Sequence, residues 1–310
     1  MTKKLYCDVV IAGCGVAGLY TALSLPREKK ILMLSKEDIA SCDSMLAQGG
    51  ICVLRDESDY DAYFEDTMRA GHYENRRESV AIMIHSSRAV INHLLALGVR
   101  FEKNADGSLA YTREGAHSQP RICFHKDITG EEITTTILAH VCRLANVKIM
   151  EYTTMTDLIE QDDICIGMQA KDKKGDLLEI YAPDTVLATG GIGGLYQHST
   201  NFPLLTGDAC RIALASADAG ASRALHSGSG MVGIKDLPVL ICHRGIMAGS
   251  VLTVHASGCQ QRIIFLPPAG RIQQIRIRVR AQQTHHIGAV NGRAGKGEQD
   301  PVVPDQRKGP

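Results

Sequence analysis

Six residues near the start of the chain, Gly13-Cys14-Gly15-Val16-Ala17-Gly18, have the spacing G-x-G-x-x-G. Glycines at these positions let backbone N–H groups come close to a pyrophosphate. A second cluster, Thr112-Arg113-Glu114-Gly115-Ala116-His117-Ser118, gathers a base, an acid, an imidazole and hydroxyls. That set suits carboxylate recognition and proton handling, and it equally suits a solvated loop. Three further stretches bring glycine or a carboxylate to a turn: Ala47-Gln48-Gly49-Gly50-Ile51 with Ser41, Asp43 and Ser44 beside it, Ala188-Thr189-Gly190-Gly191, and Thr206-Gly207-Asp208. Asp208 stands at a helix start, where it is either an N-terminal cap or part of a site.

These residues need elements to hold them. Asp8-Val9-Val10-Ile11-Ala12 reads as a buried strand, residues 16–25 as a helix ended by Pro26, and Lys30-Ile31-Leu32-Met33-Leu34 as a second strand. A glycine turn inside such a βαβ unit is the setting in which a helix N-terminus receives a dinucleotide phosphate. Gly13 is expected to allow the tight turn, Gly15 the approach of the pyrophosphate, and Gly18 the packing of helix on strand. The second strand ends in Ser35-Lys36, where the plainest NAD pattern has a carboxylate for the ribose hydroxyls. A serine hydroxyl can still bond ribose, and a lysine can reach a phosphate or sugar edge or stand solvated.

Residues 58–70 and 78–97 have helical periodicity, with Gly98 as a stop, and His85 and His93 on the second helix read as packing or surface groups without an acidic partner. Strands are expected at 99–101 and 147–152, a helix at 131–145, and a hairpin of 164–170 with 177–181 around Lys174-Gly175. The strand 184–189 delivers backbone to Gly190, a second approach to the same dinucleotide.

The composition is that of a globular protein, 44% hydrophobic and 22% charged. Basic and acidic residues balance at 34 each, so no global field marks the chain for nucleic acid or anionic membrane. The balance conceals a division. Residues 1–215 hold 22 basic and 29 acidic residues, residues 216–310 hold 12 and 5, and Phe265 is the sole aromatic of the latter segment. Lys3 and Lys4 ahead of an uncharged stretch suggest a signal peptide. Asp8 and the recurring glycines argue instead for a nucleotide-binding strand and turn. No stretch reads as a membrane span, and the ten cysteines show no zinc spacing and are expected to be reduced thiols in a cytoplasmic protein.

Taken together and in this order, the glycine turn, Ser35-Lys36, Ala47-Gln48-Gly49-Gly50, Thr112-Arg113-Glu114-Gly115-x-His117-Ser118, Ala188-Thr189-Gly190-Gly191 and Thr206-Gly207-Asp208 resemble the L-aspartate oxidase family. That family lies in the flavoprotein superfamily of succinate dehydrogenase and fumarate reductase. The resemblance covers residues 1 to about 214. It implies an α/β fold: a Rossmann-like FAD-binding domain over residues 1–215, with a β-hairpin insertion. FAD would use Cys14, Gly15, Val16 and Ala17, Lys36, residues 44–50 and Asp208, and Glu114 would belong to the substrate site as its catalytic residue. The relatives with a covalent flavin carry a histidine five residues before the loop glutamine, and here that residue is Asp43, so the FAD is expected to be non-covalent. The implied reaction oxidises L-aspartate to iminoaspartate for quinolinate and NAD biosynthesis, with oxygen or fumarate as acceptor and a functional link to quinolinate synthase. No metal is implied.

After about Leu214 the family pattern stops. No His-Pro-Thr segment and no Arg-Gly-Glu-Gly segment follows, and the charge and aromatic break falls at the same place. Residues 216–310 are therefore unassigned, either an out-of-frame product or a replacement domain, with residues 288–310 expected to be disordered and the alternating stretch 272–280 an edge strand or basic patch. An impaired enzyme, a non-catalytic FAD-binding fragment and a fumarate reductase-type flavoprotein are the three readings.

Overall fold

The computed structural model describes residues 2–161, 164–216 and 252–255. A five-stranded sheet in the order β11-β10-β2-β3-β6 carries the fold. Its strands are β2 (Val9–Ala12), β3 (Ile31–Leu34), β6 (Val147–Met150), β10 (Asp184–Leu187) and β11 (Leu252–His255). The first four run parallel, in registers such as Val9↔Ile31, Ile31↔Val147 and Asp184↔Val9, and β11 closes the edge antiparallel to β10.

Why these strands are continuous apolar runs follows from what covers them. Val9 and Ile11 point into a core with Leu19 and Ala22 of α1 (Val16–Ser24), Ile91 and Leu94 of α4 (Arg77–Ala96) and Ile133 and Ile137 of α5 (Thr129–Val141). Val10 and Ala12 point to the opposite core, with Met168, Leu178 and Ile180 from a second sheet and Ile212 of α6 (Asp208–Ser216). A parallel sheet buried on both faces has no polar side to alternate with.

The second sheet has the order β1-β9-β8-β7, with β1 (Lys3–Tyr6) parallel to β9 (Leu177–Tyr181), and β8 (Ile164–Lys171) antiparallel to both β9 and β7 (Thr154–Gln161). The expected hairpin is thus the middle of a larger sheet. A short antiparallel pair, β4 (Ile51–Cys52) with β5 (Ile122–Cys123), and two helices, α2 (Asp43–Leu46) and α3 (Tyr60–Ala70), complete the described elements apart from two 3-10 turns.

One expected strand is absent. Val99 and Phe101 are buried, but residues 99–101 form no ladder. The Arg100 N–H donates instead to the Glu132 carboxylate at 2.9 Å, and the first bridge of this segment is Lys103↔Leu109. Alternating burial there comes from an extended segment laid over α5, not from a sheet. The helix expected at 131–145 starts at Thr129 and ends at Val141. His93 accepts from or donates to the Tyr20 hydroxyl at 2.8 Å and His85 stacks on Tyr60, which makes both packing residues. No disulfide joins the cysteines of the described residues, and none of their helices is long and apolar enough to cross a membrane. The stretches 272–280 and 288–310 lie outside the described residues.

Candidate functional site

The C-terminal ends of β2 and β10 lie side by side, and each runs into a glycine turn. Gly13 has φ +109°, and a Cβ there would run into the Ala188 carbonyl oxygen, so the first turn is seated directly on the second. A Cβ on Gly18 would meet the Gly13 carbonyl oxygen, which confirms its part in bringing α1 against the strand. Cys14 contributes backbone only. Its side chain is buried in the core, and burial pushes its thiol up to about 12. Gly15 occupies the N-cap of α1 and offers no capping side chain, and the first turn of that helix holds no acidic residue. The N–H groups of Ala17 and Gly18 lie in the turn where a helix has no acceptor of its own, and the positive end of the helix dipole adds to their pull on an anion.

A second loop closes over this helix start. Val16 N–H donates to Ser44 Oγ at 3.1 Å, and a Cβ on Gly15 would stand 3.0 Å from that hydroxyl. The loop is held from behind by α5: Gly130 N–H donates to Ala47 O at 2.8 Å, and the Thr129 hydroxyl donates to Gln48 O at 3.2 Å. A Cβ on Gly130 would run into the Ser44 carbonyl oxygen. Thr129 and Gly130 escaped the sequence reading, which saw only a helix beginning nearby. Gly49 and the exposed Gln48 end the loop, and at Gly50 a Cβ would collide with Ile122 of β5. Asp43 accepts from Asn201 Nδ2 and, at 2.9 Å, from Phe202 N–H, so it ties the 199–203 segment to α2.

Lys36 is the clasp between these parts. Its ammonium donates to Leu204 O at 2.9 Å, Thr206 Oγ1 at 2.8 Å and Asp208 Oδ2 at 2.8 Å. Three donors meet three acceptors, so the side chain is fully engaged. Asp208 is the first residue of α6, and Ala209 N–H approaches Thr189 Oγ1 at 3.4 Å, which brings the Thr189-Gly190 turn, α6 and the end of β3 together. The Ser35 hydroxyl turns inward to the Asp38 carbonyl at 3.3 Å.

The 112–118 segment lies against the same loop. Thr112 exchanges backbone bonds with Ile122 at 3.0 and 3.2 Å, and Ile122 pairs with Cys52, two residues beyond Gly50. Glu114 is partly exposed, and its carboxylate has no partner among the described residues. Beneath it lies a group that the sequence reading missed. Arg121 is fully buried and donates to both oxygens of Asp59, at 2.7 and 2.9 Å, and to Asp66 at 2.7 Å. Both carboxylates are buried, on the 3-10 turn before α3 and on α3 itself. Asp59, Tyr63 and Asp66 fall on one helical face, and acids interleaved with an aromatic on a buried face were the available signal.

Burial opposes ionisation of Asp66, but bonds from the N–H and hydroxyl of Ser118 and from Arg121 hold its carboxyl down at about 2. The folded value lies below the unfolded one. The stabilisation is therefore complete above pH ~4, is lost as pH falls through about 2, and amounts to ~2–3 kcal/mol. Urea midpoints measured across that range are expected to fall more steeply for the native chain than for Asp66→Asn.

Comparison with known proteins agrees with this geometry. The sequence pattern of the FAD binding domain family matches residues 8–229. L-aspartate oxidase of Clostridium perfringens is 46% identical over 211 residues, 68% of this chain and 48% of the relative. That of Clostridium acetobutylicum is 44% identical over 207 residues, 67% and 48%, and that of Bacillus subtilis 35% identical over 216 residues, 69% and 40%. The chain thus spans about half the length of the curated relatives it matches, or less. Among solved structures, E. coli quinol fumarate reductase FrdA superposes with a TM-score of 0.66 at 26% identity, covering 69% of this chain and 37% of that one. Mycobacterium smegmatis Sdh1 gives 0.64 at 27%, covering 69% and 39%. With a glycine turn, a helix start and a covering loop meeting at one sheet end, the chain belongs to the FAD binding domain family of the succinate dehydrogenase and fumarate reductase flavoproteins, and FAD is its cofactor.

Proposed function

We propose that residues 1–215 are the FAD-binding domain of an L-aspartate oxidase-type flavoprotein. The observation that carries this reading is the meeting of the 13–18 turn, the 44–50 loop and the Lys36–Asp208 clasp, in a chain 46% identical to a named L-aspartate oxidase. The residues fit the cofactor. Gly13, Gly15, Val16, Ala17 and Gly18 would face the pyrophosphate, Ser44 and Ala47, Gln48, Gly49 and Gly50 would cover it, and Lys36, Ala188, Thr189, Gly190 and Asp208 would frame the remaining edge. Bound FAD supplies the hydride acceptor for oxidation of L-aspartate to iminoaspartate. Glu114 would stand in the substrate site, with oxygen or fumarate as the final acceptor, and the product would pass to quinolinate synthase in the cytoplasm.

The FAD is non-covalent in this proposal, because Asp43 occupies the attachment position and a carboxylate forms no histidyl–flavin bond. Asp43 is engaged with Asn201 and Phe202. Acid precipitation is expected to leave all flavin in the supernatant; flavin fluorescence retained by the denatured chain would overturn this.

The partial span of the relatives favours a second reading, an FAD-binding fragment without turnover. A dicarboxylate substrate needs cationic clamps, and Glu114 by itself repels one. Loss of such orientation lowers rates by roughly 10²-fold for each misplacement of ~1 Å. Anaerobic mixing of the flavin-loaded chain with excess L-aspartate is expected to leave the oxidised flavin band in place. Rapid bleaching specific to the L-isomer would show instead a complete substrate site. The tail has its own test: the coding DNA around Leu214, read in the other frames, is expected to encode His-Pro-Thr and Arg-Gly-Glu-Gly segments, and finding neither favours a replacement domain.

A further inference from the structure

His117 has chemistry on both sides of its ring. Arg121 Nη1 lies 3.0 Å from Nδ1, and Cys52 Sγ lies 3.2 Å from Nε2. An arginine only donates, so Nδ1 must accept, and the ring proton must sit on Nε2, where it points at the sulfur. The remaining neighbours are the edge-on ring of Tyr63, at 5.9 Å, and beyond Arg121 the carboxylates of Asp59 and Asp66. Burial and the Arg121 charge lower the pKa of His117, against the smaller pull of Asp66 and Asp59.

The backbone ties this ring to Glu114. His117 N–H donates to Glu114 O at 3.3 Å, closing a turn in which Ala116 has φ +70°. A non-glycine residue in that region is strained and persists only where its surroundings fix it. The surroundings here are Ser118, which donates twice to Asp66, and the two ring contacts of His117.

We propose that His117 is a positioning residue, locked by Arg121 as the neutral tautomer with its proton on Nε2, which fastens the Glu114 turn to Cys52 at the end of the glycine loop. It orients Glu114 relative to the bound flavin and does not shuttle protons. The inference rests on the FAD and substrate reading given above for its function, but not for its chemistry.

The test uses the full chain with ring-15N-labelled histidine, His117→Gln serving to identify the His117 signals by their loss. Two-bond 1H–15N spectra are expected to show an unprotonated Nδ1 and a protonated Nε2 throughout roughly pH 6 to 8. A proton on Nδ1, or a doubly protonated ring in that range, overturns the proposal. The positioning role is read from the visible circular dichroism of the flavin. His117→Ala is expected to change the band, and His117→Gln to restore it, since the amide oxygen can accept from Arg121 while its nitrogen donates to Cys52. A band unchanged in His117→Ala overturns the role. Should that variant not fold, Cys52→Ala removes the Nε2 acceptor together with the Cys52 contact to Tyr63, and an unchanged band there counts the same way. A chain that binds no flavin refutes the functional reading instead, and the nitrogen spectrum then decides the tautomer independently.

Discussion

Gly13→Ala is expected to abolish FAD binding, although it adds a single methyl group. The φ of +109° is open to glycine and strained for alanine, and the methyl would enter the carbonyl of Ala188, the residue after β10, which cannot retreat without breaking its own N–H bond to Ala12 O beside the β2–β10 pairing. The two turns would part, and Thr189-Gly190 and the start of α6 would move with β10. Gly15→Ala is a milder change, because its φ of −70° suits any residue and the new methyl meets only the Ser44 hydroxyl at 3.0 Å. Gly15→Leu fills the approach itself and is expected to match Gly13→Ala. Flavin absorbance per chain after gel filtration distinguishes them: near zero for Gly13→Ala and Gly15→Leu, and a retained fraction for Gly15→Ala. Normal flavin content in Gly13→Ala would place the cofactor elsewhere.

Much of this site was legible because its signals are local. The turn, its two strands and the helix lie within about 30 residues, where spacing alone fixes which backbone groups gather at the helix start. The strand entering Gly190 was legible for the same reason, and its pairing with β2 is the adjacency that a second approach to one dinucleotide would require. What could not be read were pairings whose partners lie far apart. β1 is mostly exposed and finds a β9 partner far along the chain, in the register Lys3↔Leu178 and Lys4↔Glu179. β7 carries Asp157 and Glu160 and lacks clean alternation.

Within the 112–118 cluster, Arg113 is exposed. Arg121 follows Pro120 in an apparently featureless stretch, and its partners sit 62 and 55 residues upstream on elements that read as scaffold. Ser35 and Lys36 show a different limit. Sequence placed both at the strand end, but only the fold decides that one hydroxyl turns inward and that the lysine saturates itself on Leu204, Thr206 and Asp208. Asp208 is more than a helix cap for this reason, and Lys36→Met would leave it without its cation.

The other large effect is expected at Arg121. Its side chain is 0% exposed, against 2% for Asp59 and 3% for Asp66, so the three charges exist in the interior only as a set. In Arg121→Gln, Asp66 keeps Ser118 and the half-exposed Arg69 at 2.7 Å, whereas Asp59 is left with Arg55 at 3.8 Å. Breaking a buried pair in this way costs about 3–5 kcal/mol, a large share of the 5–15 kcal/mol that typically holds a domain together. Urea denaturation at neutral pH is expected to show that loss. The combined change Asp59→Asn, Asp66→Asn, Arg121→Met removes every charge at once and is expected to be less destabilising than Arg121→Gln alone. A single variant that costs under ~1 kcal/mol would mean that water already reaches these carboxylates. In that case the anchor for His117 and Ser118 would be a solvated one, too weak to hold Ala116 in its left-handed turn.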